Sequence, residues 1–170
     1  MREVDVMGVR VEMPSNAPMV LLREVGGSRY LPIWIGANEA SAIANAQEGL
    51  VPPRPLTHDL MLEVLGTLGH RLSEVRITEL DGGTFFATLH IGGREISARP
   101  SDAIALAIRA GADIYCADEV LDEAGIEVGE EEEDEVEKFR EFLDHVSPDD
   151  FAGDEDGPGS DDEDDETDRD

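Results

Sequence analysis

An internal repeat within the first 129 residues limits the folds that this sequence can adopt. In each half, short segments with alternating apolar residues precede an alanine-rich helical segment, and a second helical segment follows. At one turn, Val25-Gly26-Gly27 corresponds to Ile91-Gly92-Gly93, and at the start of the alanine-rich segment Glu39-Ala40 corresponds to Asp102-Ala103. Duplication explains this order, so we predict two halves, each with three strands and two helices. Together they are expected to form one curved, barrel-like mixed sheet in the α+β class.

Local patterns within these halves predict further details. The period-two alternation of the first strand slips at Met7-Gly8, which predicts a β-bulge. Phe86 and Tyr30 are the aromatic residues that we expect to face outward, and Cys116 is expected to be a small buried residue. The second helix of the first half spans residues 57–68, and its apolar spacing predicts a buried face made of Leu60, Met61, Val64, Leu65 and Leu68.

Charge separates the remainder of the chain from the repeat. The 170 residues carry a formal net charge of −28. Residues 130–170 contain 22 acidic and 3 basic residues, whereas residues 1–129 contain 19 acidic and 10 basic residues. We therefore predict a core domain over 1–129, an acidic amphipathic helix over 130–148 and a disordered acidic tail over 149–170. The helix would dock on the core or on a partner. The tail would aid solubility or repulsion, mimic nucleic acid, or recruit a basic protein.

Composition and motif content exclude several classes of protein. No apolar run reaches about 18 residues and the first residues do not resemble a signal peptide, so neither a membrane span nor secretion is predicted. A single cysteine leaves no internal disulfide, which predicts a cytoplasmic protein. The sequence contains no P-loop, dinucleotide fingerprint, zinc-ligand spacing or nucleophile elbow. Lysine and arginine are not clustered, which disfavours binding of nucleic acid by bulk electrostatics.

Two segments place an arginine, a proline, a hydroxyl and a carboxylate at the start of a helix. They are Arg54-Pro55-Leu56-Thr57-His58-Asp59 and Arg99-Pro100-Ser101-Asp102, and Glu39 adds a carboxylate at a third helix start. Arginine binds phosphate through paired hydrogen bonds, carboxylates bind divalent cations, and histidine transfers protons near neutral pH. The same residues also have a structural interpretation, in which Ser101 and Thr57 cap helices and the acids complement helix dipoles.

Three ordered motifs resemble those of the bifunctional nuclease domain family. They are LPIWIG at 31–36 followed by Glu39-Ala40, RPLTHDL at 54–60 and ARPSDAIALA at 98–107. The resemblance extends over residues 1–128. It implies a duplicated α+β fold around one barrel-like sheet, a homo-oligomer, and nuclease activity on both DNA and RNA.

The resemblance and the helix-start acids together predict a phosphodiesterase of low sequence specificity that is assisted by Mg²⁺ or Mn²⁺. The expected metal ligands are Glu39, Asp59 and Asp102. These three carboxylates and His58 form the expected catalytic set, while substrate would be bound by Arg99, Arg54, Ser101 and Thr57. One alternative is a non-enzymatic, homo-oligomeric binding or regulatory module whose acidic tail recruits a partner. A third hypothesis is a small-anion binding protein that uses helix N-termini.

Overall fold

The computed structural model describes residues 1–127, which contain eight strands and four helices. In chain order these are β1 (Arg2–Glu12), β2 (Ala17–Glu24), β3 (Arg29–Trp34), α1 (Ala37–Gln47), α2 (Thr57–Thr67), β4 (Leu72–Asp81), β5 (Thr84–Ile91), β6 (Arg94–Ala98), α3 (Pro100–Ala110), β7 (Asp113–Cys116), α4 (Asp118–Ala124) and β8 (Ile126–Glu127). The chain divides into two units, Met1–Glu130 and Glu131–Asp170. The predicted helix over 130–148 and the predicted tail over 149–170 lie outside the described residues. No helix in the described part of the chain is long and apolar enough to cross a membrane.

One mixed sheet contains all eight of these strands, in the order β6-β5-β4-β7-β1-β2-β3-β8. Neighbouring strands are antiparallel except β4 and β7, which run parallel, with Val75 opposite Ile114. The short strand β7 also pairs with β1, so it joins the two halves of the repeat. Within residues 1–127 the sheet is open, because β6 and β8 are its outer strands. The predicted α+β class with a mixed sheet is confirmed.

Both halves contribute equivalent residues to one hydrophobic core. Ile43 in α1 and Leu106 in α3 occupy corresponding positions of the repeat, and both are buried. Ala40 and Ala103 precede them by one turn, and such small side chains allow α1 and α3 to pack closely. Cys116 is fully buried as predicted, and burial raises the pKa of its thiol to about 12. The other large side chains that are fully buried are Val20, Leu22, Leu31, Val75, Ile77, Leu89, Ile104 and Leu121.

The predicted bulge lies in β1. The register between β1 and β2 shifts between Val6 and Gly8, which confirms the interpretation of the broken alternation. Gly8 has a φ angle of 133°, a conformation that side chains rarely permit. The glycine therefore lets the strand absorb an extra residue while Val4 keeps its place in the core.

The prediction of a buried face on α2 is wrong. Leu60, Met61, Val64 and Leu68 are between 43% and 67% exposed. Of the five residues predicted to be buried, Leu65 alone packs against the core, together with Leu62. The reason is that α2 packs mainly against α3 rather than against the sheet, so most of its apolar surface faces away from the core. We call the exposed residues Leu60, Met61, Val64 and Leu68 the outer face of α2.

Candidate active site

The first turns of α1, α2 and α3 each contribute one polar side chain to a single hydrogen-bonded group. Glu39, His58 and Asp102 occupy these turns, and Arg99 lies just before α3. Arg99 Nε donates to Asp102 Oδ2 at 2.7 Å, and Arg99 Nη2 donates to Asp102 Oδ1 at 3.1 Å and to Glu39 Oε1 at 3.0 Å. His58 Nε2 lies 3.2 Å from Asp102 Oδ1. We call these four residues the helix-start cluster.

Proline chemistry explains why Arg99 sits at the centre of this group. Pro100 is the first residue of α3, a position that suits its fixed φ angle and its missing N–H. Arg99 is therefore the cap residue in extended conformation, and Ser101 lies inside the helix. Thr57 is likewise the first residue of α2, with Leu56 at the cap. The interpretation of Ser101 and Thr57 as caps is wrong, because each helix begins earlier than that interpretation requires.

Hydrogen bonds within the cluster stabilise the charged forms of Asp102 and Arg99. Burial by itself raises the pKa of Asp102, but hydrogen bonds from Arg99 and His58 outweigh burial, so this pKa lies below its ordinary value of 3.8. The hydrogen bond to Asp102 also raises the pKa of Arg99. Asp102 therefore remains a carboxylate near neutral pH. With a neutral His58, the two carboxylates of the cluster outnumber its one guanidinium.

The cluster keeps groups available to a ligand. The side chain of Arg99 is 66% exposed, whereas those of Glu39 and His58 are 20% and 15% exposed. Arg99 Nη1 and His58 Nδ1 make no hydrogen bond with any other residue in the range 1–127. A hydrogen-bond donor and a proton acceptor therefore remain free beside the same carboxylate.

Asp59 forms its hydrogen bonds with residues outside the helix-start cluster. Arg109 Nε donates to Asp59 Oδ1 at 2.7 Å, and the Leu56 N–H donates to Asp59 Oδ2 at 3.0 Å. Burial raises the pKa of Asp59, but the hydrogen bonds from Arg109 and Leu56 together with nearby positive charge lower it below 3.8 overall. Because the Arg109 side chain is only 10% exposed, this pair is a partly buried link between α2 and α3.

The remaining predicted residues lie around the cluster. Arg54 and Thr57 are exposed, and neither side chain forms a hydrogen bond or ion pair with another described residue. Ser101 is buried next to Asp102 in the first turn of α3. Of the eight residues proposed from the sequence, the structure thus brings four into direct contact: Glu39, His58, Arg99 and Asp102.

The carboxylates suit one mode of metal binding. Among residues 1–127 no group of three or more His, Cys, Asp or Glu side chains is arranged to hold a metal ion. Glu39 and Asp102 are both bound to the same arginine, so two carboxylates lie close together. Mg²⁺ in phosphate-processing sites commonly uses one or two carboxylates, with water and substrate phosphates completing its shell. The pair fits that mode of binding and does not fit an all-protein metal site.

Trp34 is the exposed aromatic residue that the sequence analysis missed. It is 53% exposed at the end of β3, and its Nε1 donates to Glu12 Oε2 at 3.2 Å. Phe86 is 40% exposed, as predicted, whereas Tyr30 is half-buried. The strand alternation contains no clear signal for Trp34, because Leu31, Pro32 and Ile33 are all buried and Pro32 shares a face of β3 with Trp34.

Comparisons with known proteins identify the family. The family model described as the bifunctional nuclease domain matches residues 20–129, so the chain belongs to the bifunctional nuclease domain family. An uncharacterized protein of Mycobacterium tuberculosis is 55% identical over 161 residues, which cover 89% of this chain and 98% of that protein. Bifunctional nuclease 1 of Oryza sativa subsp. indica and Bifunctional nuclease of Oryza minuta are each 30% identical over 111 residues. Those alignments cover 61% of this chain and 33% of each rice protein.

Proposed function

We propose that this protein is a nuclease that hydrolyses phosphodiester bonds of DNA and RNA at the helix-start cluster. The observation that carries the proposal is the contact of Asp102 with both Arg99 and His58. It combines a phosphate-binding cation, an oriented imidazole and a fixed carboxylate in one accessible group. Family membership supports the reaction class, since the rice relatives are named bifunctional nucleases.

Each residue of the cluster has a role in this reaction. Arg99 Nη1 binds a non-bridging phosphate oxygen and stabilises the negative charge that develops there. His58 Nδ1 accepts a proton from water as the water oxygen bonds to phosphorus. The bond from phosphorus to the leaving oxygen breaks, and that oxygen takes a proton from solvent. Asp102 holds the imidazole ring in place and stabilises its protonated form. The exposed Arg54 and the hydroxyls of Ser101 and Thr57 remain proposed substrate contacts around this centre.

The excess of carboxylates is the reason to expect a divalent cation. A phosphodiester brings a further negative charge to a cluster in which carboxylates already outnumber guanidinium groups. Mg²⁺ or Mn²⁺ that arrives with the substrate would supply the missing positive charge and polarise the phosphate. Glu39 and Asp102 are the residues that would hold it. Asp59 is less suited to the ligand role predicted from the sequence, because its partners Arg109 and the Leu56 N–H lie outside the cluster.

A cleavage assay tests this proposal. We expect purified full-length protein to cleave labelled single-stranded RNA and DNA with Mg²⁺ or Mn²⁺, and to lose this activity in EDTA. A mock preparation from the same host, carried through the same purification, controls for contaminating nucleases. Equal cleavage by the mock preparation, or no cleavage in any metal, would contradict the proposal. Cleavage that persists in EDTA would contradict the proposed role of the divalent cation and would leave the roles of Arg99, His58 and Asp102 unchanged.

The exposed apolar residues on the outer face of α2 favour association of this chain into a homo-oligomer. The alternative function, a non-enzymatic binding module, also includes a homo-oligomer. Four large apolar residues are exposed on the outer face of α2, and soluble monomers rarely leave a contiguous apolar face in water. We propose that two copies of this chain associate through this face. In the alternative, the protein is a non-enzymatic binding module with this association and with a basic partner for the acidic residues beyond 129. Association without cleavage in the assay above would favour that module.

A further inference from the structure

A groove next to the helix-start cluster has no role in the reaction described above. It lies between the end of β3, the turn from β4 to β5 and the first turn of α3, and its volume is about 420 Å³. This volume falls within the range of about 300 to 1,000 Å³ that is typical of small-molecule sites. Most of its wall is apolar or aromatic, and Arg99 is the one charged residue among those that line it.

Trp34 forms part of this wall. About half of its surface is exposed, and the hydrogen bond to Glu12 fixes one edge of the indole. Exposure of a large apolar ring costs free energy that burial in the core would have avoided. A fixed and accessible indole in a groove is the kind of surface on which nucleobases stack.

Ser101 provides a second, independent observation. The residue is only 8% exposed and lines the groove, and its side chain forms no hydrogen bond with another residue in the part of the chain that the structure describes. Its hydroxyl is nevertheless accessible, because no fully buried side-chain N or O atom among residues 1–127 lacks a partner. A base or sugar in the groove would replace water as the partner of this hydroxyl.

The groove and the helix-start cluster are continuous. Arg99 belongs to both, since it lines the groove and binds Asp102 and Glu39. Gly36 also lines the groove, and the Glu39 carboxylate lies so close that a Cβ atom on residue 36 would overlap it. A nucleotide whose phosphate contacts Arg99 therefore has the groove within reach of its own base.

We propose that the groove binds one unpaired nucleobase, stacked on Trp34, of a strand whose phosphate contacts Arg99. This inference rests on the proposed function for the identity of the ligand as a nucleic acid. Internal bases of a duplex are paired and covered on both faces, so they enter such a groove only after they leave the stack. The substrate class is therefore single-stranded DNA or RNA. Stacking accepts any base, in agreement with the low sequence specificity expected from the sequence.

Intrinsic fluorescence tests the inference directly, because Trp34 is the one tryptophan in the 170 residues. Full-length protein in Mg²⁺ is titrated with a phosphorothioate single strand, which resists hydrolysis, and with the same strand in a duplex. We expect saturable quenching by the single strand and much weaker quenching by the duplex. With a labelled strand, fluorescence anisotropy should show that Trp34→Ala weakens binding about tenfold or more, whereas Trp34→Phe retains most of the affinity.

Phe86→Ala is the matched control, since Phe86 is an exposed strand aromatic that does not line the groove. It should bind the single strand as the wild type does, and thermal unfolding should show that all three variants are folded. Absence of quenching, together with wild-type binding and cleavage by Trp34→Ala, would overturn the base site while leaving the nuclease proposal intact. Quenching by single strands without any cleavage would uphold the base site and contradict the nuclease proposal.

Discussion

Replacement of Asp102 by asparagine is expected to lower the rate of strand cleavage by a factor of about 100 to 10,000. Asparagine has nearly the same shape but carries no charge, so it neither stabilises a protonated His58 nor accepts both hydrogen bonds from Arg99. The measurement is kcat/KM on a labelled single strand. Thermal unfolding should change little, because Asp102 is partly exposed and Arg99 keeps its contact with Glu39.

Asp113→Asn is the matched control for this prediction. Asp113 is an exposed carboxylate on β7, and it forms no ion pair with the other described residues. The substitution makes the same chemical change outside the cluster, so the cleavage rate should remain at the wild-type value. An Asp102→Asn protein that cleaves as fast as Asp113→Asn would remove Asp102 from the proposed mechanism.

Replacement of Asp59 by asparagine is expected to lower the free energy of unfolding by about 2 to 4 kcal/mol. The substitution leaves the largely buried guanidinium of Arg109 without its anionic partner, and it weakens the hydrogen bond from the Leu56 N–H. Chemical denaturation at neutral pH measures the loss. At temperatures where both proteins are folded, cleavage by Asp59→Asn should fall far less than cleavage by Asp102→Asn. The opposite ranking would place Asp59 in the chemistry instead of the fold.

The pH dependence of stability provides a second readout for Asp59. Its pKa in the folded protein lies below the ordinary value of 3.8, so the folded state binds fewer protons than the unfolded state near that pH. The stabilisation from the Asp59–Arg109 pair is therefore complete above the unfolded pKa and is lost as the pH falls through the folded pKa. The difference in unfolding free energy between wild type and Asp59→Asn should shrink as the pH drops below about 4. A constant difference would contradict the ion pair as its source.

The order of the first three strands and of the two helices in each half could be predicted from the sequence because both halves repeat it, whereas β7 and β8 have no counterpart in the first half. Alternating residues such as Leu31 and Ile33 face the core, and matched alanines mark the helices that pack together. The exposure of the outer face of α2 could not be predicted from the sequence. Periodicity shows which side of a helix is apolar, but it does not show whether another element covers that side. Leu60 and Val64 have the spacing of core residues and are half exposed.

The sequence identified eight candidate site residues, of which four form the helix-start cluster, and it could not separate these four from the others. Residues at helix starts share a chemical character, so Asp59 and Asp102 were equivalent from the sequence alone. Their difference arises from α2–α3 packing, which places Arg109 against Asp59 and leaves Arg99 and His58 to Asp102. The Arg109–Asp59 and His58–Asp102 pairings join residues that are 50 and 44 positions apart, so local motifs contain no information about them. Arg99 and Asp102 are three residues apart in one motif.

Chemical rescue of Arg99→Ala tests whether phosphodiester hydrolysis takes place at the helix-start cluster. Arg99 is two-thirds exposed, so free guanidinium can reach the space that the truncated side chain leaves. We predict that Arg99→Ala loses most of its cleavage activity and recovers part of it with guanidinium at concentrations far below those that unfold proteins. A contaminating nuclease would show neither the loss nor the recovery. Cleavage by Arg99→Ala at the wild-type rate, with or without guanidinium, would contradict phosphodiester hydrolysis at the helix-start cluster.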